Sequence, residues 1–146
     1  MQKSGIKKIL AKIGRPISRK RRRKARRFDP AACRNILIYK PDHLGDVMLA
    51  APTIHSLRKA MPAAHLVFTG TKQGGELISA LGLADETTVF QSPSVGYAPF
   101  PRVFGQILGV RTRRLDLVVN LRHDYRDIWI STCFGATFFA SYDHED

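Results

Sequence analysis

The fold is decided by residues 35–60, which read NILIYKPDHLGDVMLAAPTIHSLRKA. The unbroken apolar run at 36–39 predicts a parallel strand that is covered on both faces of a sheet. Pro41 interrupts this run, because proline lacks a backbone donor and fixes its own φ. From about Gly45 to Ala60, apolar residues recur at helical spacing. The stretch therefore predicts a strand, a short polar turn and a helix, in that order.

The polar turn after this strand is where we expect chemistry. Open α/β sheets bind ligands at the carboxyl ends of their parallel strands, where amide groups of the next helix are free. Asp46 lies at the start of that helix, and its carboxylate could accept a proton from a sugar hydroxyl. Two simpler interpretations stay open at this point: Asp46 only caps the helix, or Lys40 is only a solvated loop cation.

A resemblance to a known family bears on this choice. The strand ending in Lys40, the Leu44-Gly45-Asp46 turn, and Pro52 followed by Leu57 resemble the start of glycosyltransferase family nine, the bacterial lipopolysaccharide heptosyltransferases. Segments 65–70, 115–121 and 135–143 are similar to later strands of that family. The resemblance covers roughly residues 35–146. It implies a Rossmann-like, doubly wound, mostly parallel α/β sheet that forms the N-terminal, acceptor-side half of a two-Rossmann-domain glycosyltransferase.

The resemblance also implies roles for individual residues. Asp46 matches the general base that activates the acceptor hydroxyl. Substrate contacts are assigned to Lys40, His43, Gly45, Arg122, His123 and Arg126. The chain departs from the family at Pro41-Asp42-His43, where members often have small Ser or Thr residues.

The implied reaction is an inverting transfer of heptose to a lipopolysaccharide core or lipid A acceptor. The donor is expected to be a nucleotide sugar such as ADP-heptose, which the family binds in a second, C-terminal domain. Since 146 residues leave no room for that domain, we expect an N-terminal part that keeps acceptor contacts, does not turn over alone, and has a separate donor-domain chain as a candidate partner. No metal or further cofactor is expected, because Cys33 and Cys133 are too few for a structural zinc site.

Residues 1–34 form a separate, strongly basic arm. They hold 14 of the 24 Lys and Arg residues and one of the 12 acidic residues, so the remainder of the chain is nearly neutral. An apolar stripe on a predicted interfacial helix consists of Ile6, Ile9, Leu10 and Ile13. The cations that we assign to anion or membrane binding are Lys7, Lys8, Lys12, Arg21, Arg22 and Arg23.

Two kinds of partner fit this arm. An anionic membrane surface attracts each nearby basic residue by about 1 kcal/mol, and the apolar stripe suits a bilayer. Nucleic-acid phosphates would use the charges but not the stripe, so we favour the membrane, while a solvated tail is expected without a partner. We therefore expect a cytoplasmic protein that is peripheral at the inner face of the inner membrane. The alternatives are a basic nucleic-acid-binding protein and a non-catalytic acceptor-binding module.

The remaining elements alternate as expected of an α/β domain. Strands are predicted over 65–69, 87–90, 115–121 and 137–142, helices over 72–81 and 102–112, and an irregular, proline-rich loop over 91–101. We expect Trp129 and Ile130 to pack in the core.

A second polar turn, residues 122–127, follows the fourth strand. If strands one and four are neighbours, both polar turns meet at the switch point of the sheet and bring together Lys40, Asp46, His123 and Arg126. The simpler interpretation of His123 and Asp124 is helix capping.

Overall fold

The computed structural model describes residues 27–93 and 99–141. Within them a 3-10 turn at Pro30–Ala32 precedes an alternation of strands and helices. The strands are β1 (Asn35–Lys40), β2 (His65–Gly70), β3 (Glu86–Val89), β4 (Leu117–Asn120) and β5 (Phe138–Ala140). The helices are α1 (Leu44–Ala60), α2 (Lys72–Ala80), α3 (Phe100–Arg111) and α4 (Tyr125–Thr132). Residues 1–26, which hold the predicted interfacial helix and its cations, lie outside the described ranges.

The described strands form one parallel sheet in the order β3-β2-β1-β4-β5. The first strand, β1, lies in the middle of the sheet. The next two strands are added outward to β3, and the chain then crosses back to place β4 on the other side of β1. This reversal of direction is the switch point of a doubly wound sheet, where ligands bind. The predicted Rossmann-like α/β fold is confirmed.

β1 occupies the centre of the sheet because its side chains are apolar on both faces. Ile36 and Ile38 pack into the core beneath α1 and α2, whereas Leu37 and Tyr39 pack into the core beneath α3 and α4. Successive side chains of a strand point to opposite faces, and all four of these are completely buried. The run at 36–39 therefore supplies both cores at once.

The face that carries α1 and α2 has an apolar opening beside α1. There an apolar cavity of about 300 Å³ lies between α1 and β4, and Thr53, Leu57 and Val119 are among the residues that line it. Further along this face, the ring of Phe28 packs edge-on against Phe138 with 5.1 Å between ring centroids. The segment that leads into the 3-10 turn thus covers part of β5.

The backbone requires glycine at two positions, one because of a close approach and one because of a positive φ. A Cβ atom at Gly70 would lie 2.5 Å from the Lys40 carbonyl oxygen, so only glycine lets the ends of β1 and β2 approach so closely. Gly82 follows α2 with a φ of +62°, the left-handed conformation that commonly ends helices.

One core assignment from the sequence is wrong. Ile130 is 4% exposed, as predicted, but Trp129 is 53% exposed. Neighbouring residues on a helix point about 100° apart. The buried face of α4 is formed by Asp127, Ile130 and Ser131, so Trp129 points away from the sheet.

The predicted element boundaries are close to those observed. β5 is three residues long, and α3 begins at Phe100 because Pro101 suits the first turn of a helix. Among the described residues, no helix is long and apolar enough to cross a membrane.

Candidate functional site

The turn between β1 and α1 places Asp46 at the carboxyl edge of the sheet. β1 ends at Lys40 and α1 begins at Leu44, so Asp46 is the third residue of the helix. The preceding residue, His43, has an extended backbone, and its side chain makes no capping hydrogen bond. The side chain before α1 thus leaves the first amide groups of the helix uncapped, and the helix dipole favours a negative group there.

The carboxylate of Asp46 is accessible. Asp46 is exposed, and within residues 27–93 and 99–141 its side chain has no hydrogen bond or ion pair. A Cβ atom added to the neighbouring Gly45 would meet nothing within 4 Å, so the space beside the turn is open. The structure therefore does not support the capping interpretation of Asp46, and it leaves the carboxylate where an incoming hydroxyl can reach it.

Lys40 joins the two strands at the switch point. Its Nζ donates a hydrogen bond to the carbonyl oxygen of Leu121 at 2.8 Å, just beyond the end of β4. The same Nζ lies 2.7 Å from Oδ2 of Asp42, and 14% of the lysine side chain is exposed. Lys40 is thus not the freely solvated cation of the simpler interpretation, because its charge is shared with a neighbouring carboxylate.

The turn after β4 is shaped by Asn120. Its side chain is buried, accepts a hydrogen bond from the backbone amide of Arg122 at 3.1 Å, and donates one to the carbonyl oxygen of the same residue at 3.1 Å. These bonds hold Arg122 against the sheet. Its guanidinium forms an ion pair with Asp42 through Nη1, and its Nε lies 2.8 Å from Oδ2 of Asp127. Arg122 therefore lies between two carboxylates, and its assignment to substrate binding stays a prediction.

The other two predicted residues of this turn lie further out. Arg126 is exposed, and its guanidinium donates to both carboxylate oxygens of Asp124, at 3.2 and 3.1 Å. This hydrogen bond raises the pKa of Arg126. Asp124 caps α4, as the simpler interpretation held, by accepting from the backbone amide of Arg126 at 2.9 Å. His123 is exposed on the same turn.

The structure brings the two polar turns together through one residue that the sequence did not single out for a role. β1 and β4 pair in parallel, with Tyr39 beside Asn120. Asp42, which is 7% exposed, then contacts Lys40 from its own turn and Arg122 from the other. The expected meeting of the turns is therefore mediated by a buried ion pair. Asp46, His123 and Arg126 are exposed and take no part in these ion pairs.

Two cavities of the described residues lie away from Asp46. One is the apolar cavity beside α1; the other, of about 420 Å³, lies between α2 and β3 and is lined by residues such as Gly75, Glu76 and Thr88. Neither is lined by Asp46. The described residues also contain no cluster of His, Cys, Asp or Glu that could hold a metal ion.

Comparison with solved structures gives a fold neighbour. The fold is shared with a family 9 glycosyl transferase. The match is to the glycosyl transferase family 9 protein from Veillonella parvula DSM 2008, with a TM-score of 0.64 and 20% sequence identity. It covers 82% of this chain and 37% of that chain, so this chain spans little more than a third of its neighbour's length. No protein-family model matches the sequence, and no curated protein is detectably similar to it.

Proposed function

We propose that this chain is the acceptor-side part of a glycosyltransferase of the family 9 type, with Asp46 as its general base. The observation that carries the proposal is the exposed carboxylate of Asp46 in the first turn of α1, beside the β1–β4 switch point. The shared fold with a family 9 glycosyl transferase supports it. A base has to lie within hydrogen-bond reach of the proton that it removes, and this carboxylate is open to a bound sugar.

The chemistry follows from that position. The acceptor hydroxyl gives its proton to the Asp46 carboxylate while its oxygen bonds to the anomeric carbon of the donor sugar. The bond between that carbon and the diphosphate breaks, and the nucleoside diphosphate leaves with the bonding electrons. Attack on the face opposite the leaving group inverts the anomeric configuration. The uncapped amides of α1 would attract negative groups on the acceptor.

The finer assignment is also part of the proposal. The donor sugar is a heptose carried on ADP, and the acceptor is the lipopolysaccharide core or lipid A. Because the fold neighbour's chain is much longer than this one, we place the donor on polypeptide beyond this domain. Transfer from ADP-heptose by the 146-residue chain alone would overturn this division of labour.

Acceptor binding by the full chain tests the site. A heptose-free lipopolysaccharide core saccharide is titrated while the backbone amide signals are followed by NMR. We expect changes at residues 44–46, and Asp46→Asn should weaken binding about tenfold or more, because a hydrogen bond to a charged group is lost. Glu76→Gln, which neutralises an exposed acid on α2, is the matched control and should bind normally. Changes confined to the α2–β3 cavity, or none at all, would contradict the proposal.

The arm is the basis of the proposed location. We propose that residues 1–26 hold the protein at the inner face of the inner membrane through basic residues such as Lys7, Lys12 and Arg22. The expected result is binding to anionic liposomes that weakens with salt. Equal binding to neutral vesicles, or tighter binding to DNA than to anionic vesicles, would favour a different partner.

A further inference from the structure

A fully buried carboxylate lies beneath the candidate site. Asp127, the third residue of α4, is 0% exposed. Its Oδ1 accepts hydrogen bonds from the Tyr39 hydroxyl at 2.7 Å and from Ser92 Oγ at 2.5 Å. Tyr39 belongs to β1 and Ser92 follows β3, so one carboxylate ties three segments of the carboxyl edge. A buried carboxylate is tolerated only when it is paired and hydrogen-bonded.

Arg122 links this carboxylate to the turn that precedes α1. Its Nε lies 2.8 Å from Oδ2 of Asp127, although the N–H is not aligned as in a hydrogen bond. Through Nη1 it contacts Asp42, and the same nitrogen lies 3.5 Å from the carbonyl oxygen of Pro41. Asp42 in turn pairs with Lys40. A row of charged side chains of alternating sign therefore runs from the turn to the interior. It consists of Lys40, Asp42, Arg122 and Asp127.

Aromatic packing around Tyr39 restricts the motion of this row of charged side chains at its buried end. The ring of Tyr39 packs edge-on against Phe90 and Phe134, with centroid separations of 5.2 and 5.3 Å. Burial, together with the charge of Asp127, raises the pKa of Tyr39, so its hydroxyl stays protonated and remains a donor. Electrostatic and hydrogen-bond energies are larger in such an apolar environment than in water.

The turn is also fixed from the opposite side. Thr71 Oγ1 donates a hydrogen bond to the carbonyl oxygen of Asp42 at 3.1 Å, and the same oxygen atom of Thr71 caps α2 at Gly74. The backbone of Asp42 is thus held by α2 and its side chain by Arg122. The peptide that leads into α1 and Asp46 has little freedom as long as both tethers persist.

We propose that Asp127 is a positioning residue, which acts through Arg122 and Asp42 to hold the β1–α1 turn, and with it Asp46, in place. Its effect on sugar transfer rests on the function proposed above, whereas the mechanical link to the turn does not. Reacting groups tolerate little displacement, and a shift of about 1 Å can lower a rate about a hundredfold. A buried anchor that joins β1, α4 and the segment after β3 supplies such rigidity.

The test is local hydrogen exchange in the full 146-residue chain. The amide of Val47, which bonds to the His43 carbonyl oxygen at 3.1 Å, reports on the start of α1. In Asp127→Asn, we expect this amide to exchange about tenfold faster relative to the amides of β2, because local opening becomes easier without global unfolding. Asp124→Asn removes an exposed ion pair at the same end of α4, and it should leave the exchange of Val47 unchanged.

A second variant covers the case in which Asp127→Asn does not fold. Arg122→Lys keeps the positive charge, but a single ammonium group cannot bridge Asp42 and Asp127 as the guanidinium does. It should also speed the exchange of Val47 relative to β2. Equal changes at Val47 and in β2 in the variants that fold would overturn the proposal, because Asp127 would then stabilise only the whole domain.

The acceptor titration separates this proposal from the proposed function. If the wild-type chain binds the lipopolysaccharide core saccharide at residues 44–46, Asp127→Asn should weaken that binding. Glu76→Gln, the control on α2, should not. If Asp127→Asn binds the saccharide as tightly as the wild type, the positioning role is wrong. If no chain binds the saccharide but Val47 exchange still responds to Asp127→Asn, the link to the turn stands and the sugar-transfer assignment fails.

Discussion

The two ends of the sheet carry charge clusters of opposite character. The carboxyl-edge cluster consists of Lys40, Asp42, Arg122 and Asp127. The amino-edge cluster consists of Arg58, His65, Asp85, Glu86 and Arg113. In the first, side-chain exposure ranges from 0 to 17%. In the second, it ranges from 23 to 50%.

This difference in burial separates two uses of an ion pair. The amino-edge cluster ties the end of α1 and the segment before β4 to β3, through Arg58 with Asp85 and Arg113 with Glu86. Exposed pairs of this kind contribute little, since water screens them. The carboxyl-edge cluster is buried and hydrogen-bonded, so breaking it leaves an uncompensated charge in the interior. The buried cluster therefore specifies the geometry of the turn beside Asp46, whereas the exposed cluster contributes only weak surface ion pairs.

The largest expected effect comes from deleting the buried anchor. Asp127→Ala leaves Arg122 without its inner partner and removes the acceptor of the Tyr39 hydroxyl. We expect the free energy of unfolding to fall by about 3–5 kcal/mol. Chemical denaturation measures this loss. A loss as small as that from an exposed pair would show that the two clusters do not differ as described.

The next largest effect isolates one hydrogen bond. Tyr39→Phe keeps the ring contacts with Phe90 and Phe134 but removes the hydroxyl that donates to Asp127. Because the acceptor is charged and buried, we expect a loss of about 1.5–3 kcal/mol in the free energy of unfolding. A matched control is Tyr125→Phe, since Tyr125 is exposed on α4. Equal losses in both variants would contradict the account.

A smaller effect is expected at the amino edge, and it should depend on pH and salt. The hydrogen bond from Arg113 lowers the pKa of Glu86 below its ordinary value of 4.5. The stabilisation from this pair is therefore fully present above pH 4.5 and is lost as the pH falls through the depressed value. Arg113→Ala should cost about 0.2–1 kcal/mol near neutral pH.

That cost is measured as the difference in unfolding free energy between the wild type and Arg113→Ala. It should shrink on acidification below pH 4.5 and at high salt, where the screening length falls to about 3 Å at 1 M. A difference that stays constant with pH and salt would show that Arg113 acts through packing and not through its charge.

The smallest effect on stability is expected at Asp46. Asp46→Asn changes an exposed side chain without a partner among the described residues, so the unfolding free energy should stay within about 0.5 kcal/mol of the wild type. In an assembly that also holds the donor, the same variant should lower kcat by about 10²- to 10⁴-fold, the contribution of a general base. An unaltered turnover would remove Asp46 from that role.

The sequence predicts the fold well because its pattern is strong in the middle of the sheet. The apolar run at 36–39 is buried on both faces. The alternation of strands and helices predicts a parallel sheet, but the place of β4 beside β1 is expected only from the resemblance to the family. The predicted boundaries agree less well with the observed ones at the edge of the sheet. β5 is short and partly exposed, so burial constrains its pattern less. Trp129 was misplaced because apolar character alone does not say which side of a short helix faces the sheet.

The site was predictable only in part. Asp46 is marked by its place at a strand-to-helix turn, whereas Asp127 resembles an ordinary polar residue at a helix start. Two signals could have found it. Tyr39 stands in an otherwise apolar strand and its hydroxyl needs a buried partner, and Asp127 lies three residues before the buried Ile130, on the same side of α4. Neither signal names the partner, because the contact spans 88 positions in sequence.

The most direct test of the central claim observes the Asp46 carboxylate itself. In a chain labelled with ¹³C at aspartate carboxyl carbons, the Asp46 signal is assigned by its loss in Asp46→Asn. On addition of the lipopolysaccharide core saccharide, we expect a saturable shift of that signal. Signals of aspartates at the amino edge, such as Asp85, should stay in place. A saccharide that binds without moving the Asp46 signal would contradict the assignment of this carboxylate as the base.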